Sequence, residues 1–79
     1  MTDRRQQIHD LDVSLWVGKR GLDPAVEELA AQLDDRAFVK VRFHRAARGG
    51  TTTDELAADL ADRAGADLVE TRGHTAVYE

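Results

Sequence analysis

The stretch Val13-Ser14-Leu15-Trp16-Val17-Gly18-Lys19-Arg20-Gly21-Leu22-Asp23-Pro24 decides how this chain folds. Val13, Leu15 and Val17 alternate with Ser14 and Trp16, the period of two that a pleated strand with one buried face requires. Gly18 and Gly21 bracket two basic residues in a loop. Asp23 stands where a helix N-cap belongs, and Pro24 where the first helical residue belongs. Strand, glycine loop and helix start together form a candidate phosphate site. Glycines let the backbone come close, the first helical amides point outward, and Lys19 and Arg20 attract the anion. Many strand-to-helix loops carry glycine only to make the turn, so the loop alone leaves a purely structural role open.

Downstream, Val26, Leu29, Ala30 and Leu33 recur at i, i+3, i+4 and i+7, which predicts a core-packing helix over 24–35. Phe38 to His44 alternates again. Val39, Val41 and Phe43 are expected to face the core, with Lys40, Arg42 and His44 on the opposite face. The segment from Arg45 to Thr51 is a loop broken by Gly49-Gly50 and carrying Arg45 and Arg48. Thr52 with Glu55 fits a capping box, opening a second helix that runs to Ala64 and stops at Gly65. Strands over 67–71 and 74–78, separated only by Arg72-Gly73, form an antiparallel hairpin. The two preceding strand–helix–strand units are expected to be right-handed parallel crossovers. The expected architecture is α/β (α+β): a compact β-α-β-α-β-β domain over 13–79 with two helices on a four-stranded mixed sheet. Residues 1–12 form a short polar segment whose apolar anchors are Ile8 and Leu11, either one or two docked helical turns or a frayed end.

Seventy-nine residues allow one domain with a small core, and the absence of cysteine removes disulfides and thiolate metal sites as supplements. No apolar run approaches the roughly 18 residues of a membrane span, and the first residues lack the apolar region of a signal peptide. A soluble cytoplasmic domain is expected.

The net charge of −4 argues against a generic nucleic-acid binder. The two signs are segregated, however. Asp54, Glu55, Asp59, Asp62 and Asp67 face a single Arg63 in their segment. From Arg36 to Thr53 there is no acid, and Arg36, Lys40, Arg42, Arg45 and Arg48 are all basic. Nine of the 11 basic residues are arginine. An Asp-rich, lysine-poor surface fits a high-salt proteome, and high-GC codon usage produces the same bias. Either origin leaves a local basic face possible.

Four short motifs in register resemble the YhbY-type CRM domain, the chloroplast RNA splicing and ribosome maturation module. They are Val17-Gly18-Lys19-Arg20-Gly21-Leu22, Phe38-Val39-Lys40-Val41, Ala64-Gly65-Ala66 and Gly73-His74-Thr75-Ala76-Val77-Tyr78, and the resemblance covers about residues 13–78. The resemblance implies a fold similar to the C-terminal domain of translation initiation factor three. It also implies RNA binding without catalysis or cofactor, directed at ribosomal RNA in precursors of the large subunit, with ribosomal proteins as possible neighbours. By position, Gly18, Lys19, Arg20 and Gly21 match a loop compared with that of KH domains, and Lys40 matches the lysine of the strand motif. Arg42, Arg45 and Arg48 match no fixed position and rest on charge alone. Three departures stand out: the longer basic opening helix is replaced by 12 residues, Asp23 replaces a threonine, and the last strand is trimmed around Tyr78. A capping Asp23 would displace a phosphate outward onto Gly18–Gly21.

Trp16 lies across the strand from Leu15 and could stack on a base, although a partly buried position under the N-terminal segment is the preferred expectation. A second class of function is a protein-interaction module docking on a basic ribosomal protein through the acidic helices. It predicts Lys19, Arg20, Lys40 and Arg42 paired with acids, whereas RNA binding predicts them exposed and contiguous. An enzyme is not expected: no carboxylate pair or nucleophile motif stands out, no metal ligand set is evident, and His9, His44 and His74 are scattered.

Overall fold

A computed structural model describes residues 4–47 and 49–79. The elements run α1 (Arg4–His9), β1 (Val13–Val17), α2 (Asp23–Asp35), β2 (Val39–Phe43), a 3-10 turn (Arg45–Ala47), α3 (Thr53–Ala64), β3 (Leu68–Arg72) and β4 (Thr75–Tyr78). The strands form one mixed sheet in the order β1-β2-β4-β3. β1 and β2 are parallel, and β4 is antiparallel to both β2 and β3. The β2-to-β3 crossover therefore skips one place, and the returning hairpin strand fills it.

One face of the sheet carries the core. Leu15, Val17, Val39, Val41, Phe43, Ala76 and Tyr78 pack against Leu22, Ala25 and Leu29 on the α2 side and Ala57, Leu60 and Ala61 of α3. Burying each large apolar side chain contributes about 1.5–3 kcal/mol relative to leaving it exposed. The alanines of α3 let it sit close to the strands, and the Tyr78 hydroxyl donates to the Ala57 carbonyl at 2.8 Å. That burial pushes the Tyr78 phenol well above its ordinary value.

Several local expectations are corrected. α2 begins one residue early: Leu22, not Asp23, is its N-cap residue and makes no side-chain cap. Leu22 is buried, and its carbonyl accepts from the Val26 amide at 3.0 Å, so core packing sets the helix start. Ala25 is buried in α2 while Ala30 is exposed, because a stripe beginning at Leu22 continues through Ala25 and Leu29. The alternation of β1 also breaks. Val13 pairs with Lys40 and Leu15 with Val41, so two residues of β1 answer to one of β2. The extra residue Ser14 turns to α2, donating to Gln32 Oε1 at 2.6 Å while its carbonyl accepts from Gln32 Nε2 at 3.0 Å. A second irregularity lies between Leu68 and Glu70 of β3.

Half of the capping box forms. Thr52 Oγ1 accepts from the Glu55 amide at 3.1 Å, but the Glu55 carboxylate accepts from Thr51 Oγ1 at 2.6 Å. Gly65 closes α3 in the left-handed region at φ 67°, where its amide bonds to Ala61. Residues 1–3 of the N-terminal segment lie outside the described residues, and the described part takes the docked form. Ile8 of α1 and Val77 of β4 are both buried outside the main core cluster, and both line a cleft between α1 and the outer face of the sheet. Among the described residues no helix is long and apolar enough to cross a membrane.

Candidate nucleic-acid interface

The strand directions bring three connections to one end of the sheet. β1 and β2 are parallel, so the loop after Val17 and the turn after Phe43 emerge side by side. β4 is antiparallel to β2, so the Gly73-His74 hairpin turn arrives at the same end. Two backbone hydrogen bonds lock them together: His44 N to Val17 O and Phe43 N to His74 O, each 2.8 Å.

The Gly18–Gly21 segment is a tight turn in which the Gly21 amide donates to the Gly18 carbonyl at 3.0 Å. Lys19 and Arg20 are its central residues and both are exposed. Neither has positive φ, which is the type I geometry, whereas Gly21 sits at φ 79°, where a side chain would be strained. Gly18 differs. Its φ is not in the left-handed region, and an added Cβ would meet nothing within 4 Å. The fold therefore requires glycine at 21 but not at 18.

The remaining candidates divide. Arg42, on the outer face near the end of β2, and Arg45, opening the 3-10 turn, are exposed at the same end as the glycine turn. Lys40 is one register step further from that end, half-buried, and lines the cleft with Arg5, Gln6, Ile8 and His9 of α1. Arg48 lies outside the described residues. Sequence reasoning missed Arg72 and His74, which the hairpin register brings to this end; reading Arg72-Gly73 only as a turn hid them. It also misjudged Trp16, which is 56% exposed and the one large exposed hydrophobic among the described residues. Its position on the outer face of an edge strand leaves its ring without a covering layer.

Charge pairing is informative here. Among the described residues no hydrogen bond or ion pair engages the side chains of Lys19, Arg20, Lys40, Arg42 or Arg45. Three acids that start the two long helices are engaged elsewhere: Asp23 with Arg63, Asp54 with Thr71 Oγ1, and Glu55 with Thr51. Asp23 thus does not cap α2, and its carboxylate does not occupy the amides beside the glycine turn. No group of three or more His, Asp or Glu side chains among the described residues is arranged to hold a metal ion.

The pattern of the CRS1/YhbY (CRM) domain matches residues 1–78, and the chain belongs to that family. It is also similar to the probable RNA-binding protein MJ0652 of Methanocaldococcus jannaschii, with 34% identity over 70 residues, which cover 89% of this chain and 52% of that protein. The chain spans about half the length of this relative.

Proposed function

We propose that this domain is a non-catalytic RNA-binding module whose Gly18–Gly21 turn meets the phosphate backbone. Lys19 and Arg20 supply charge at the tip, Arg42 and Arg45 extend it along the same end, and Lys40 adds a cation from the cleft. The observation that carries this reading is the exposed, unpaired pair Lys19 and Arg20 at the centre of a tight turn. Family membership and the similarity to a probable RNA-binding protein of Methanocaldococcus jannaschii support it. The ligand proposed is ribosomal RNA in large-subunit precursors, met in the cytoplasm. An adaptor acting through acidic helices predicts Lys19, Arg20, Lys40 and Arg42 paired with acids, and among the described residues no ion pair engages them.

The test is binding of ribosomal RNA fragments to wild type and to Lys19→Glu/Arg20→Glu across a salt series, with folding checked by circular dichroism. Each neutralised phosphate contributes roughly 0.7–0.9 to the slope of log K against log salt. The folded double variant should bind weakly, with a shallower slope. Absence of binding by wild type at every salt concentration would redirect attention to the acidic helices and a protein partner.

A further inference from the structure

The outer face of the sheet holds a row of which the phosphate-binding reading uses only Arg42. Trp16 pairs in register with Arg42, Arg42 with Thr75, and Thr75 with Arg72. With strands about 4.8 Å apart, the row crosses roughly 14 Å of sheet from one edge strand to the other. Trp16 stands at one end, 56% exposed, and no hydrogen bond or ring contact engages its side chain among the described residues. Arg42 and Arg72 are exposed and make no ion pair there. The nearest acid on this face, Glu70, lies one register step away, opposite Val77.

An exposed indole in one row with unpaired guanidinium groups has the chemistry to accept the face of a base while cations hold the phosphates of the strand. We infer that Trp16, with Arg42 and Arg72, forms a stacking platform for unpaired bases of a single RNA strand, a site additional to the glycine turn. The inference rests on the RNA-binding reading above. A duplex is a poor occupant, because its base faces are already stacked on one another. An indole stacks on the π-face that every base carries. Stacking here is therefore tolerant of base identity. Arg72 and Thr75 also line the cleft beneath α1, about 660 Å³, which gives the strand a continuation beyond the row.

Trp16 is the sole tryptophan of the chain, so its emission reports on this site alone. The experiment titrates the full chain with a labelled oligouridylate and with a labelled RNA duplex of equal length. Indole emission and label anisotropy are followed together, in wild type, Trp16→Ala, Trp16→Phe and Lys19→Glu/Arg20→Glu. The expected result is quenching by the single strand in step with anisotropy, and none by the duplex. Trp16→Ala should weaken single-strand binding roughly tenfold or more, while Trp16→Phe retains most of it. If Trp16→Ala fails to fold, quenching in wild type and the affinity of Trp16→Phe decide the matter. Single-strand binding that leaves the emission unchanged and falls only in Lys19→Glu/Arg20→Glu overturns the platform and leaves the glycine-turn reading standing. Absence of anisotropy change with either RNA overturns both.

Discussion

Asp23 Oδ1 lies 3.0 Å from Nη1 of Arg63, joining the first residue of α2 to the last turn of α3 across forty positions of sequence. Arg63 also reaches Asp59 one turn back at 3.3 Å. Asp23 is largely solvated and Arg63 about half so, and the contact contributes less than about 1 kcal/mol to stability. Its greater effect is positional. It holds a carboxylate two residues beyond Gly21 and turns it toward α3.

Asp23→Asn should therefore leave the fold intact, with a stability loss below about 1 kcal/mol. Removing a negative charge beside the Lys19–Arg20 turn should tighten RNA binding severalfold at low salt. The gain should vanish near 1 M, where the Debye length is about 3 Å. Titrations of the variant and wild type at two salt concentrations would check this, and a gain independent of salt would contradict it.

The two glycines of the turn should separate under substitution. Gly21→Ala forces a side chain into the left-handed region and should cost about 1–2 kcal/mol, measured by urea unfolding. Gly18→Ala meets no neighbour and should stay within about 0.5 kcal/mol of wild type. If the backbone at Gly18 approaches phosphate, that variant should nonetheless lose RNA affinity. Unchanged affinity would show that Gly18 makes no close contact.

Tyr78 should dominate alkaline unfolding. Its folded phenol titrates above the ordinary value of 10.0 because of burial, whereas the unfolded phenol does not. The unfolded state thus loses its proton first. The stability that the neutral phenol contributes is complete below about pH 10 and declines as pH rises toward the folded value, by up to about 1.4 kcal/mol per pH unit. Tyr78→Phe should remove that decline while costing about 1 kcal/mol at neutral pH through the lost bond to Ala57. Thermal melts at pH 7 and above pH 10 would compare the two.

Ile8→Ala should release α1 from the outer face of the sheet without unfolding the domain, because Ile8 lies outside the main core cluster. Hydrogen exchange should then accelerate over residues 4–10 and remain slow in β2 and β4. Global acceleration would mean that α1 belongs to the cooperative core.

Much of this fold was legible because its strands and helices state their periods plainly. Val39, Val41 and Phe43 are buried where their alternation put them, and Gly65 closes α3 where expected. The failures at Ser14 and Asp23 share a cause: each was decided by a partner distant in sequence. Ser14 turns to Gln32, eighteen residues on, and no local pattern in β1 announces the bulge. Asp23 looked like a cap because the local chemistry favours one, but Leu22 had to be buried and Arg63 took the carboxylate. For the candidate site, the Lys19–Arg20 turn was readable from its motif. Arg72 was not, since only the β4 register brings it into the row with Arg42.

Both irregularities of the sheet fall on its outermost strands, at Ser14 in β1 and Val69 in β3, whereas the pairing of β2 with β4 is regular. A bulged margin twists away and offers a poor template for another chain to add to. A four-stranded sheet open on two sides would otherwise invite fusion with its own copies. Crowded together, or joined in series along one polypeptide, such domains can remain separate bodies.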